Sequence, residues 1–196
     1  MILEGLCTTI NLHGAVNIAP MGPVVDEQQT TFRFRPFQTS TTFANLKATG
    51  CGVFHVTDNV ELIARAVIGE LHQLPELQPA AVVQGSVLAN ACRWYEFEVI
   101  AIDESQERTE IQTRIVHVGR IRDFWGFNRA KHAVLETAIL ASRLHLLSPE
   151  DVERQLLHLA VIVRKTAGQQ EQTAFELLQD YIQNDDSFPD DEPTSA

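Results

Sequence analysis

The period of the apolar pattern changes once along this chain, near residue 125, and no other feature constrains the fold as much. Up to about Arg122, short runs of β-branched, aromatic and aliphatic residues alternate with turn chemistry. From Asn128 to about Gln183 the apolar residues recur at helical spacing. The early strands lie too close together for repeated βαβ units, whose crossovers need a dozen residues or more. An antiparallel barrel is the natural closure, because it removes sheet edges. The expected class is α+β, with an antiparallel barrel domain over residues 1–124 and a three-helix subdomain over 125–184. Residues 185–196 are acidic, contain proline and are almost free of apolar side chains, the composition of a disordered tail.

Within the first part, Ile2–Ile10 reads as a strand, Asn11–Gly14 as a turn and Ala15–Met21 as the returning strand of a hairpin. Pro20 and Pro23 bracket Gly22, so that strand ends or bulges there. Over Thr30–Arg35, Phe32 and Phe34 face one way and Thr31, Arg33 and Arg35 the other. Ser40 or Thr39 caps a short helix to about Ala48, closed by Gly50. Cys51–Thr57 reads as a buried strand. Asp58 opens a helix to about Gly69, with Glu61 at capping-box spacing. Leu71–Pro79 reads as a loop, Ala80–Ile102 as one long β region broken at Gly85 or Asn90, and Glu110–Ile121 as the last strand.

In the second part, Asn128 caps a helix over 129–145 with an inner stripe of Ala130, Val134, Thr137, Ala138, Ala141 and Leu144. Ser148 followed by Pro149 starts the next helix, with Val152, Leu156, Leu159, Ala160 and Val163 inward. After Gly168 a last helix turns Phe175, Leu178, Tyr181 and Ile182 inward. Three helices of this size are marginal alone, so they are expected to pack on the barrel or across a dimer interface.

Composition narrows the function. Hydrophobic residues make up 44% of 196, enough for a core. No run reaches the roughly 18 apolar residues of a membrane span, and Glu4 interrupts any secretory signal, so a cytoplasmic protein without membrane partners is expected. Fifteen basic residues oppose 26 acidic ones, a net charge of -11, and the bases are not clustered, which argues against nucleic acid. Three cysteines without a C-x-x-C pattern suit a reduced interior, and the scattered histidines complete no zinc pattern, so no metal is expected.

Two stretches carry candidate chemistry. Arg33–Asn45 (RFRPFQTSTTFAN) places two arginines before four consecutive hydroxyl residues that open a helix. Short donors, a helix N-terminus and a guanidinium are what a phosphate needs. The plainer explanation, hydroxyls as caps and arginines on a solvated face, is the commoner one for such a stretch taken alone. Asn17–Pro23 (NIAPMGP) is backbone that cannot continue a ladder, so its N–H and C=O groups can meet a planar ligand; taken alone, a simple strand end is the better account of it.

Together, NIAPMG, RPF-x-TSTT-x-x-NL and GVFHVTDN resemble the FMN-binding split-barrel superfamily of flavin reductases and pyridoxamine-phosphate-oxidase-like proteins. With FWGFNRAKHAVLETAILASRL added, the chain resembles an uncharacterised bacterial and archaeal flavoprotein family, an antiparallel split β-barrel with a helical C-terminal subdomain. The resemblance implies a homodimer with one FMN per subunit near the dimer interface. It places Arg35, Thr39, Ser40, Thr41 and Thr42 around the FMN phosphate, with Pro36 in the same stretch and Asn45 within reach. It sets the backbone of Asn17, Ile18, Ala19, Pro20 and Met21 at the isoalloxazine edge, with Gly22 permitting close approach. Asn128 and Arg129, with Lys131, open a helix whose dipole disfavours cations. They either reach an anion at the partner's flavin site or, for the cations, form a salt bridge to an acid such as Glu96 or Glu98. His55 stands where split barrels carry a small or polar residue, and either crowds the site or faces a neighbouring strand. The function implied is an FMN-binding flavoprotein, an oxidoreductase acting with an unspecified small molecule; the alternative is a flavin carrier or sensor without turnover.

Overall fold

The computed structural model describes residues 1–185. Apart from Asp185, the expected acidic tail lies outside the described residues. The chain divides into two units, residues 1–58 with 71–125, and residues 59–70 with those from 126 onward.

The first unit is a curled antiparallel sheet. Its strands are β1 (Gly5–Ile10), β2 (Val16–Met21), β3 (Val24–Val25), β4 (Thr31–Phe34), β5 (Cys51–Val56), β8 (Arg93–Asp103) and β9 (Glu110–Arg120), in the order β2-β1-β5-β8-β9-β4-β3. The hairpin expected at Asn11–Gly14 forms, and β2 ends at Met21. Phe32 and Phe34 are buried while Thr31, Arg33 and Arg35 are exposed, as the alternation requires. Inside the curl, Phe32 meets Phe54 at 5.5 Å and Phe34 meets Phe97 at 4.8 Å. Helix α1 (Thr41–Thr49) adds Phe43 and Leu46 to this core. Gly52 leaves room for both layers: a Cβ there would lie 2.7 Å from Phe97 Cζ and 3.2 Å from Leu46 Cδ2 of α1.

The β region Ala80–Ile102 is broken, as expected, on either side of Ser86–Leu88, whereas Leu77–Pro79, expected in a loop, is a strand. A separate pair, β6 (Leu77–Pro79) and β7 (Ser86–Leu88), forms first, and β8 starts only at Arg93. Glu96 is the cause. Its carboxylate, fully buried, accepts the N–H groups of Ala81, Val82 and Val83 and the Trp94 indole N–H. That wraps residues 81–83 around a side chain and ends any ladder there. Burial pushes the Glu96 carboxyl up, and these four donors reverse it, holding it below the usual range. The β6–β7 segment is tied to the sheet by Thr8 Oγ1, which donates to the Ser86 carbonyl, and by His55 on Leu88.

The second unit is helical: α2 (Val60–Val67), α3 (Arg129–Ala141), a 3₁₀ turn (Leu144–Leu146), α4 (Pro149–Thr166) and α5 (Gln169–Gln183). Val60 and Ala64 of α2 share a core with Val134, Leu156, Phe175 and Leu178. A helix lying between strands in sequence therefore supplies cover that three helices lacked. Three sequence expectations change. The helix expected over 129–145 ends at Ala141. Asp58 does not cap α2; Asn59 does, accepting the Leu62 N–H at 3.0 Å. Asp58 instead receives the Arg122 guanidinium and the Trp125 N–H. Tyr181 is 39% exposed, because Leu178 and Ile182, four apart, already fill the inner stripe. Ser148 caps α4 ahead of Pro149, as expected.

Candidate functional site

Strand β2 stands at one end of the sheet order, so one of its sides is unpaired among the described residues. The hydrogen bonds Asn11 N–H to Ala15 C=O and Leu3 N–H to Pro23 C=O bracket the β1–β2 ladder. In an antiparallel ladder, bonded and non-bonded pairs alternate. Asn17, Ala19 and Met21, facing Thr9, Cys7 and Gly5, thus spend their backbone groups on β1. The groups turned to the open side belong to Val16, Ile18 and Pro20. Of the backbone expected at a ring edge, only that of Ile18 offers both N–H and C=O there. Pro20 lacks its N–H at a position where the ladder would not have used it.

Helix α1 begins beside this strand. Ser40 caps it, its Oγ accepting from Phe43 N–H at 3.1 Å and donating to the Phe37 carbonyl at 2.8 Å. The N–H groups of Thr41 and Thr42, at the first two helical positions, have no intrahelical acceptor. Thr39 and Thr41 are exposed and Thr42 is buried. Asn17 of β2 donates through Nδ2 to Thr42 Oγ1 at 3.1 Å and more weakly to Thr9 Oγ1 at 3.4 Å. Asn45, one turn further along α1, donates to the same Thr9 Oγ1 at 3.0 Å. One network of Asn17, Thr42, Asn45 and Thr9 therefore pins the first turns of α1 to the β1–β2 hairpin. Thr9 was not singled out from sequence. A threonine alternating with Cys7 on an otherwise apolar inner face was the available signal.

Arg35 stands apart from this network. Its Nε lies 3.8 Å from Glu110, with about half the side chain exposed. Pro36 is buried, and its carbonyl accepts the N–H and hydroxyl of Thr109, fixing the approach to the loop before α1. At Gly22 a Cβ would lie 2.9 Å from Ile2 Cγ2 and 3.0 Å from the Glu4 carboxylate, so a side chain there would displace these two side chains.

Asn128 and Arg129 belong to the helical unit. Asn128 caps α3, accepting from the N–H groups of Ala130 and Lys131, and donates to the Thr166 carbonyl. Arg129 is exposed. Lys131 pairs at 2.7 Å with Glu171 of α5, and Glu98 is held by Arg114. The ion pair anticipated for this segment exists, but within the helices.

His55 faces neighbouring strands rather than a site. It is fully buried, with Nδ1 at 3.1 Å from the Leu6 carbonyl and Nε2 at 3.1 Å from the Leu88 N–H. Among the described residues no group of three His, Cys, Asp or Glu is placed to hold a metal, and no helix is long and apolar enough to cross a membrane.

A seven-strand curled antiparallel sheet with one short helix in its mouth defines the class: this is the FMN-binding split-barrel fold, with helices appended. The chain belongs to the family described as protein of unknown function (DUF447), whose N-terminal domain matches residues 3–122 and whose second part matches residues 128–180. It is similar over 92% of its length, and 94% of the other's, to an FMN-bound protein of that family from Methanosarcina mazei, with 24% identity and a TM-score of 0.79. An FMN-binding protein from Thermus thermophilus, solved with bound 1-cyclohex-2-enone, aligns over 61% of this chain and 70% of its own at 15% identity and TM-score 0.51. The flavin reductase HpaC complexed with NADP+ aligns over 65% and 83% at 15% identity and TM-score 0.52. No protein of curated function matches the sequence.

Proposed function

We propose that this chain binds FMN along the open side of β2 and the first turn of α1, and acts as a flavin-dependent oxidoreductase on a small molecule. The observation that carries the reading is the Asn17–Thr42 hydrogen bond. It fixes an unsatisfied helix N-terminus beside an unpaired strand edge. The donor set fits the cofactor's chemistry. The N–H groups of Thr41 and Thr42, with the exposed hydroxyls of Thr39 and Thr41, suit a phosphate, which the helix dipole favours. The N–H and C=O of Ile18 suit the alternating donors and acceptors of a planar ring. Arg35 adds charge; its exposed contact with Glu110 is worth about 0–1 kcal/mol, so the side chain can turn at little cost.

Bound flavin would supply hydride or electron transfer; the chain's residues bind, orient and shield it. The fold's relatives support the cofactor: one solved family member is FMN-bound and HpaC is a flavin reductase. The reading includes a homodimer in the cytoplasm, with the cofactor near the dimer interface. Protein purified without added flavin should show flavin absorbance bands and release FMN on denaturation, and light scattering should give twice the mass of one chain. A colourless protein that takes up no FMN in titration refutes the cofactor. Oxidation of reduced nicotinamide no faster with the protein than with free FMN alone refutes nicotinamide-linked turnover and favours a carrier.

A further inference from the structure

Strands β8 and β9 place Arg93 directly opposite Arg120. Like charges at facing positions in a ladder repel. The same ladder shows how this chain otherwise arranges charge there. Glu98 faces Arg114 and binds it at 2.9 Å. Asp103 faces Glu110, but Glu110 is relieved by Arg33 and Arg35. Of the arginine pair, only Arg120 has an acidic partner among the described residues. Arg120 touches Asp123 across a contact whose side chains are 60% and 82% exposed, so it is largely screened. Arg93 is exposed and has no partner among the described residues. Arg122 is the third arginine here, and buried Asp58 neutralises it. In a chain of net charge -11, this corner retains positive charge.

These three arginines line a cleft of about 300 Å³. The rest of its wall includes Leu3, Val56 and Tyr95, with the Tyr95 hydroxyl turned onto Gln29, and the exposed Asp123 that contacts Arg120. A few convergent polar groups over an apolar floor is the make-up of a small-molecule site, and the volume lies at the small end of that range. Guanidinium groups grip carboxylate and phosphate with paired hydrogen bonds.

We infer that this cleft binds a small organic carboxylate or phosphate, its oxyanion held by Arg93 and Arg120 and its apolar body laid on Leu3, Val56 and Tyr95. Leu3 continues the β1–β2 ladder opposite Pro23, just beyond Met21. The ligand would thus sit past the far end of β2 from Asn17. The inference stands on the arginine pair and the cleft, and does not require the flavin reading.

The test uses the full chain, with and without added FMN, and the probes benzoate and phenyl phosphate, with neutral benzamide as the control. Calorimetric titration should show at least one of the anions binding wild type at least tenfold more tightly than benzamide. Arg93→Gln should lose at least tenfold of that affinity. Its melting temperature without ligand should be unchanged or higher, because the repulsion is removed; a purely structural arginine would leave the variant less stable. Neither anion binding wild type, or equal binding by Arg93→Gln, overturns the inference. So does a tenfold loss of FMN affinity in Arg93→Gln with riboflavin affinity intact, which would make the cleft the cofactor's phosphate pocket. Anion binding that depends on Arg93 in a protein that takes up no FMN supports the inference and refutes the flavin reading alone.

Discussion

His55 accepts the Leu88 N–H on Nε2 and faces the Leu6 carbonyl with Nδ1, each at 3.1 Å, so a single ring joins β5, β7 and β1. The two partners fix its tautomer. Nδ1 must carry the proton to satisfy the carbonyl, and Nε2 must be bare to accept the amide. A second proton would destroy the bond to Leu88 and place a charge in a fully buried position.

Burial accordingly lowers the His55 pKa from 6.5 to about 4, against the opposing pull of the Leu6 carbonyl. The unfolded chain takes up this proton near pH 6.5 and the folded chain only near pH 4. Stability from this group is therefore complete above pH 6.5 and lost as pH falls through that window. The loss totals about 3 kcal/mol. Urea unfolding at pH 7, 6, 5 and 4 should show it. His55→Gln should be less stable at pH 7 and should lack most of the slope between pH 6.5 and 4. An equal slope in both proteins would assign the proton elsewhere.

Lys131 and Glu171 should prove coupled. Glu171 is buried; its Oε1 meets Lys131 Nζ at 2.7 Å and its Oε2 accepts the Gly168 N–H at 2.8 Å. Burial pushes its carboxyl up, but Lys131 and that N–H outweigh the effect and hold it below the usual range. Removing the cation alone leaves a buried carboxylate without its counter-charge. Lys131→Met should cost about 2 kcal/mol, reduced from the full buried-pair value because the ammonium keeps some exposure. In a double-mutant cycle with Glu171→Met, denaturant unfolding should give a coupling above about 1 kcal/mol. Additive losses would reduce the pair to a surface contact.

Gly5 should tolerate no side chain. A Cβ there would lie 2.3 Å from the His55 carbonyl oxygen and 2.7 Å from Phe54 Cζ. The first obstacle is backbone of a strand paired on both sides, which cannot move aside as a flexible side chain would. Gly5→Ala should cost more than about 2 kcal/mol, at the overpacking end of core substitutions. A melting temperature within two degrees or so of wild type would show that β1 and β5 can part locally.

What the sequence made legible was local. The turn at Asn11–Gly14, the Ser40 and Gly50 ends of α1 and the Ser148–Pro149 start of α4 depend on residues within one turn of each other. What it concealed depended on partners far along the chain. Asp58 and Asn59 cap equally well by type, and Arg122, 64 residues away, takes Asp58 and leaves Asn59. The break expected at Gly85 or Asn90 was legible, but not the Glu96 carboxylate that takes the three N–H groups of residues 81–83. The candidate site divides the same way. NIAPMG and TSTT stood out as motifs, but which backbone groups of β2 remain free follows from register, and Thr9 entered only through the contacts of Asn17 and Asn45.

The phosphate placement can be tested without knowing the substrate. If the first turn of α1 holds phosphate, FMN should bind at least tenfold better than riboflavin, which has the same ring and no phosphate. Charge-assisted contacts contribute about 1.5–3 kcal/mol each, and one suffices for that factor. Arg35→Ala should erode the preference and leave riboflavin affinity nearly unchanged, and added salt should weaken FMN binding less in that variant than in wild type. Thr42→Val acts differently. It removes the oxygen that accepts from Asn17, freeing the first turn from β2 at that point. It should weaken both ligands, because both the phosphate donors and the strand edge lose their relative position, and the FMN to riboflavin ratio should fall only modestly. Asn45→Ala breaks the other arm, to Thr9, and should resemble Thr42→Val. Titrating both ligands against the three variants, with melting temperatures alongside, separates a phosphate site from a plain capped helix. A plain cap predicts lower stability in the network variants and an unchanged ratio in all three; that result would move the phosphate away from α1.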